Sequence, residues 1–447
     1  MANRRSQRQR RSIALVLSGG GARGAYEAGV LSNLLPRMAA LGLDFDILCA
    51  TSVGALNACA LAATAHYPGT GGARLRAAIM RRAWETIQVE KIFTSQYVRA
   101  LLSFPLHMTG LKGPHPAELV HGGTGLMRRL GKALRPRRYD FPGLFDTAPL
   151  ARTLGAGALI DWRQLHENVQ NGHPKAVALS ATSVSTGETV CFAQVHGEAG
   201  TRYLPEEHLT LLPVQMGAHH ALASAAIPFL FPPVTVPLED NRSGVFVDGG
   251  IRMNTPLLPA LLLGADSILA LGLQGPHHRQ PSFASAGFDV VPLLGKILNA
   301  FFLDRVRTDF DRLQIMNKLI SLARPDALAD INNDRVSRGK DPLREIRAAE
   351  LGPSRDIGEL TAEIWDVNPE LHRPPWRWMF DAKDLQGSAF GDLMSYIFFH
   401  PAFSRALLDL GAKDAAARIT DENLRWLGGM DGGVPPARGD LVGGGSR

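Results

Sequence analysis

Residues 13–31 read Ile-Ala-Leu-Val-Leu-Ser-Gly-Gly-Gly-Ala-Arg-Gly-Ala-Tyr-Glu-Ala-Gly-Val-Leu. The five apolar residues Ile13–Leu17 have the length and branching of a buried strand. Gly19, Gly20, Gly21 and Gly24 then break the pattern, and from Ala25 it becomes helical. Val30, Leu31, Leu34, Leu35 and Met38 share one helical face, and Gly42 closes the segment. A strand entering a helix through a glycine turn is the repeating unit of an open α/β sheet. Such sheets place reactive groups at the carboxyl ends of their strands.

Two later pieces repeat that grammar. Residues 45–49 form an apolar run that enters Ala50-Thr51-Ser52-Val53-Gly54, followed by an uncharged, Ala-rich helix. Residues 245–247 lead into Asp248-Gly249-Gly250. Further strands are expected at 176–180, 189–192 and 268–271, giving a three-layer α/β/α fold with a largely parallel sheet. The chain divides into a basic arm (1–12), an α/β domain (13–275) with an irregular insertion (68–150), a mainly helical region (276–427) and a Gly- and Pro-rich tail (428–447). The tail's Arg438-Gly439-Asp440 reads as chance content.

The glycine turn admits two chemistries. Gly19 to Gly24 fit the G-x-G-x-x-G pattern of dinucleotide sites. Such a site needs an acid at the end of the second strand to hold a ribose. Asp44 precedes that strand and Asp46 opens it, both at the wrong end, and Thr51-Ser52 stand where the acid belongs. The alternative use is an oxyanion cradle, because successive amides before a helix bind anions. Residues 50–54 approximate the nucleophile elbow G-x-S-x-G, with Ala50 for the first glycine; alanine is small enough for the turn to close. Alone, Ser52 reads equally as a helix N-cap, and Asp248-Gly249 as a tight turn. Residues 249–256 supply no returning strand, which leaves Asp248 at a strand end as a candidate base.

In combination and in chain order, these pieces resemble the patatin-like phospholipase family, with its G-G-G-x-R-G, G-x-S-x-G and D-G-G/A segments. Residues 24–31, 146–150 and 223–228 add to the resemblance, which spans about residues 13–271 and continues loosely through 301–304. It implies a serine acyl hydrolase of lipid esters, of phospholipase or lysophospholipase type. Ser52 would be the nucleophile, Asp248 the base of a two-residue dyad, and Gly19, Gly20, Gly21, Arg23 and Gly24 the oxyanion segment. Thr51, Val53 and Gly54 would complete the elbow, and Gly249 and Gly250 the base loop. No metal or organic cofactor is implied. A third, histidine member among the 14 histidines stays open, with His219, His220, His277 and His278 placed to supply it. A non-catalytic lipid-binding protein on the same fold and a dinucleotide enzyme are the alternatives.

Composition narrows the setting. With 45% hydrophobic and 20% charged residues the chain has the makeup of a globular protein. Its 48 basic residues comprise 39 Arg and 9 Lys, and net charge is +6. That balance suits phosphate and carboxylate recognition, and nothing in it demands nucleic acid. An apolar stretch (104–111) beside a basic one (128–138) suits an anionic membrane surface, as does the arm with Arg4, Arg5 and Arg8; both also read as solvated charge. The arm lacks the apolar core of an export signal. Residues 221–238 are uncharged but carry Pro228, Pro232, Pro233 and Pro237, which rule out a spanning helix. Cys49, Cys59 and Cys191 have no metal or redox spacing and read as reduced, buried thiols. A cytoplasmic protein, free or peripheral at the membrane, is expected; its oligomeric state is not legible.

Overall fold

The computed structural model describes residues 10–95, 143–238, 241–275, 306–368 and 388–436. The stretches 104–111, 128–138 and 301–304, the residues Arg4, Arg5, Arg8, His277 and His278, and the tripeptide 438–440 lie outside them.

Ten strands among the described residues form one mixed sheet, flanked by helices. In chain order the strands are β1 (Ile13–Leu17), β2 (Ile47–Thr51), β3 (Thr94–Ser95), β4 (Phe145–Asp146), β5 (Ala176–Ser183) and β6 (Thr189–Val195). There follow β7 (Arg202–Leu204), β8 (Leu209–Pro213), β9 (Val234–Pro237), β10 (Ser243–Asp248), β11 (Ser267–Leu271) and β12 (Arg347–Leu351). β3 and β4 pair separately as a short antiparallel ribbon. The main sheet runs β12-β11-β1-β2-β5-β6-β8-β7, and the first five strands are mutually parallel. The parallel expectation holds for that half. The other half is mixed, because β5 and β6 form a hairpin around residues 184–188 and β10 joins β5 antiparallel.

Every residue of β1, β2 and β11 is buried, as befits strands covered on both faces. Helix α1 (Ala25–Ala40) lays Val30, Leu31, Leu34, Leu35 and Met38 into the core. Helix α2 (Val53–Ala63) is buried along most of its length. Two regions depart from the sequence reading. Residues 69–85 form helix α3, with Ala73, Ala77, Met80 and Trp84 buried. Its Gly-rich first turn concealed it. The region after 275 supplies more than helices: β12 extends the sheet beside β11.

The C-terminal helices belong to the same core. Helix Pro401–Arg418 packs against α1 at glycines on both sides. A Cβ on Gly29 would lie 2.2 Å from the Leu408 carbonyl oxygen, and one on Gly411 2.2 Å from that of Tyr26. The Tyr26 hydroxyl donates to Asp414 (3.0 Å) at the same contact. The described end of the basic arm is also tied down, since Arg10 donates to the Asp44 carbonyl (2.8 Å) and the Ser12 amide to Asp266 (3.0 Å). The start of the tail folds back as well, where the Val434 amide donates to the Glu422 carbonyl (3.1 Å). Among the described residues no helix is long and apolar enough to cross a membrane. All three cysteines are buried and unbridged. Burial pushes their thiols up, that of Cys191 to about 12.

Candidate active site

Strand β5 organises the site. β2 runs beside its first part and ends with Thr51 opposite Ser180. At the next position β10 takes over from the opposite direction, and its last residue, Asp248, stands opposite Ala181. Two strand ends that are remote in sequence therefore meet head to head along one neighbour. Ser52 leaves the first and Asp248 closes the second.

Ser52 sits between β2 and α2 with φ 56° and ψ −126°, a conformation that non-glycine residues rarely adopt. Such a residue costs about 1–3 kcal/mol and persists where its surroundings enforce it. Three contacts do so. The Ser52 amide donates to Ser224 Oγ (3.0 Å), and Ser224 Oγ donates to the Ser180 carbonyl (2.6 Å). Thr51 Oγ1 donates to the Met253 carbonyl (2.9 Å). A Cβ on Gly54 would lie 2.9 Å from the carbonyl oxygens of Leu17 and Ser18, so α2 starts directly against the end of β1. Ala50 is fully buried inside β2, paired with Leu17 and Leu179, away from that contact. The turn closes without a glycine there.

Asp248 is fully buried. Its Oδ1 accepts from the Gly250 amide (2.7 Å), and its own amide donates to the Ala226 carbonyl (2.9 Å). Gly249 is required because a Cβ would lie 2.3 Å from the Ser180 carbonyl oxygen. Burial pushes the Asp248 carboxyl up to about 7, against the opposing pull of the nearby Ser52 hydroxyl and the Gly250 amide. Its Oδ2 makes no hydrogen bond among the described residues. A buried carboxyl poised near neutrality beside a serine hydroxyl is suited to accepting a proton.

The glycine turn lies beside this pair, with Gly21 and Ser52 lining one cavity. Of the five positions assigned to it from sequence, three hold the turn together instead of offering a free amide to the cavity. The Gly19 amide donates to Asn254 Oδ1 (2.9 Å) and the Arg23 amide to the Gly20 carbonyl (3.2 Å). Gly24 makes room for α2, as a Cβ there would lie 2.5 Å from a Val53 methyl. The amides of Gly20, Gly21 and Ala22 donate to nothing among the described residues. Arg23 is buried and turned away, its Nε donating to Ser395 Oγ (2.8 Å) and its guanidinium 4.3 Å from the centre of the Tyr396 ring. Gly21, at φ 56°, has the Tyr396 carbonyl oxygen 2.0 Å from where a Cβ would stand. Helix Ser388–Ile397 thus forms the outer wall of the turn.

The cavity has a volume of about 100 Å³. Beyond Ser52 it is bounded chiefly by apolar side chains, among them Leu56, Leu150, Ile227, Phe231 and Phe399. No histidine lines it among the described residues. His219 and His220 face a separate groove, where burial holds the His220 imidazole down near 3 and its Nδ1 accepts from the Gly217 amide (3.0 Å). Asp44 and Asp46 lie at the opposite, amino edge of the sheet. Asp46 accepts from the Ile13 amide (2.9 Å) and Asp44 pairs with Arg76 (2.6 Å). Among the described residues β2 carries no carboxylate at its carboxyl end, where a dinucleotide ribose requires one. Among the described residues no group of three potential metal ligands occurs.

The sequence reading missed the supports: Ser224, Asn254, Tyr396 and Phe399. Ser224 and Asn254 lie in segments that sequence singled out, but their partners are remote, so no local signal revealed their roles.

A glycine turn, a serine elbow and a buried strand-end aspartate thus meet on one mixed α/β sheet. Residues 15–261 match the family described as patatin-like phospholipase, and the chain belongs to that family. Among curated proteins none matches. Among solved structures, VipD from Legionella pneumophila is similar at 15% identity over 87% of this chain and 67% of VipD, with a TM-score of 0.27.

Proposed function

We propose that the protein is a serine acyl hydrolase of lipid esters, of phospholipase or lysophospholipase type, working through Ser52 and Asp248. The observation that carries this reading is the head-to-head meeting of Ser52 and the buried Asp248 on β5, at the wall of an apolar cavity. Asp248, ionised, takes the hydroxyl proton as Ser52 Oγ attacks the ester carbonyl. The carbonyl oxygen becomes an oxyanion, met by the amides of Gly20 and Gly21 and by that of Val53, the residue after the nucleophile. One such donor contributes about 2.7–4 kcal/mol to the transition state. The alcohol leaves with the proton, and the acyl group stays on Ser52. Water, deprotonated by Asp248, then attacks the acyl carbon; the bond to Ser52 Oγ breaks, Oγ takes the proton back from Asp248, and the fatty acid is released. The apolar lining favours an acyl chain over a polar substituent.

A panel of phospholipids, lysophospholipids and neutral lipid esters, offered to wild type and Ser52→Ala in parallel, tests this. Wild type is expected to release fatty acid, and Ser52→Ala is not. Equal release by both, or equal labelling by a fluorophosphonate, would refute the nucleophile. A protein that binds lipid without releasing acid would be a carrier on this fold.

A further inference from the structure

Asn57, one and a half turns beyond Ser52 along α2, takes no part in the chemistry above. Its side chain nevertheless joins three elements of the site. Nδ2 donates to the Gly24 carbonyl (3.0 Å) at the end of the glycine turn and to Glu27 Oε2 (2.8 Å) on α1. Oδ1 accepts from Trp84 Nε1 (2.9 Å) on α3. Both donors and the acceptor are used, so the amide has one orientation: reversed, it would set its NH2 group against the indole N–H. Asn57 and Trp84 also line the cavity beside Ser52.

Glu27 is fully buried, forms no ion pair among the described residues, and its Oε1 has no hydrogen-bond partner. Burial pushes its carboxyl up to about 8, opposed by Asn57 and by the Ser18 amide at the start of the turn. Burial thus favours the neutral carboxyl, which accepts from Asn57. A carboxyl in such a place costs stability relative to an apolar side chain. What it gains is geometry, because through Asn57 it is tied to the end of the glycine turn.

We propose that Asn57 and Glu27 are positioning residues, which fix the glycine turn at its working distance from Ser52 and so set kcat. The proposal rests on the reading of Ser52 as nucleophile. A displacement of about 1 Å between reacting groups is worth roughly 100-fold in rate. Apolar side chains such as Leu56, Leu150, Ile227 and Phe231 make up most of the cavity's lining, so acyl-chain binding is expected to change far less than turnover.

Steady-state kinetics on p-nitrophenyl butyrate test this with Asn57→Leu, Asn57→Ser, Glu27→Leu, Glu27→Gln and the Asn57→Leu/Glu27→Leu pair, beside wild type and Ser52→Ala. Thermal melts identify the variants that fold. Folded Asn57 variants are expected to lose about 10- to 100-fold in kcat with KM within about 3-fold. Glu27→Gln, which keeps an acceptor for Asn57, is expected to recover most of the kcat that Glu27→Leu loses. The double variant is expected to lose no more than the worse single one, as residues acting as a unit do. Wild-type kcat in a folded Asn57 variant, a loss confined to KM, or strictly additive losses would overturn the proposal. Activity in Ser52→Ala would instead overturn the nucleophile reading beneath it.

Discussion

At Asp248, stability and the proposed proton acceptance make opposite demands on one proton. Burial raises the carboxyl from an ordinary 3.8 to about 7. The folded protein thus keeps a proton that the unfolded chain has already released. The resulting stability is fully present below about pH 4 and is lost as pH rises towards 7. Proton acceptance requires the other form, so kcat/KM is expected to climb with pH through about 7; a profile flat from pH 5 to 8 would count against Asp248 as base. Asp248→Asn removes the conflict. Its turnover is expected near background, while its melting temperature at pH 8 rises by roughly a few degrees above wild type, as calorimetry would show. At Ser224, whose hydroxyl bridges the Ser52 amide and β5, alanine is expected to reduce kcat by about 10-fold and to leave the fold intact.

Between neighbouring elements, what matters is how closely the backbones approach. Gly54 lets α2 start against the carbonyls of β1, so Gly54→Val is expected to abolish esterase activity and lower the melting temperature together. Ala50 lies within β2, away from that contact. Ala50→Gly is expected to keep activity within about 3-fold of wild type and to lose stability of about 0.5–1 kcal/mol, since glycine weakens a strand interior. Opposite results at the two positions would mean that the elbow is shaped at its first residue instead. The same distinction explains what could be read from sequence. Strand ends that enter glycine turns are local patterns, and they placed Ser52, Asp248 and the glycine segment at strand ends, where the structure has them. The hydrogen bonds that occupy the Gly19 and Arg23 amides come from the folded turn and from Asn254, 235 residues away from Gly19, and left no local trace. Helix α3 was hidden by Gly69, Gly71 and Gly72, poor helix formers retained where the helix begins.

Across the whole molecule, the family match ends at residue 261, but the packing does not. β12 completes the sheet edge, helix Pro401–Arg418 covers α1, and Phe399 closes part of the cavity. β12 escaped the sequence reading because its five residues, Arg-Ala-Ala-Glu-Leu, carry no strand-like alternation and are held by β11. A chain ended after residue 275 exposes the apolar face of α1. It is expected to aggregate or to melt without a cooperative transition, and a sharp calorimetric peak from it would show that the N-terminal part stands alone.

The Tyr396 carbonyl, pressed against Gly21, has a consequence for the order of events during synthesis. Translation delivers the glycine loop early and its supporting wall nearly four hundred residues later. Until that wall emerges, the loop lacks its outer support at Gly21. On the proposed reading, Ser52 therefore acquires its working surroundings only after Tyr396 has been made.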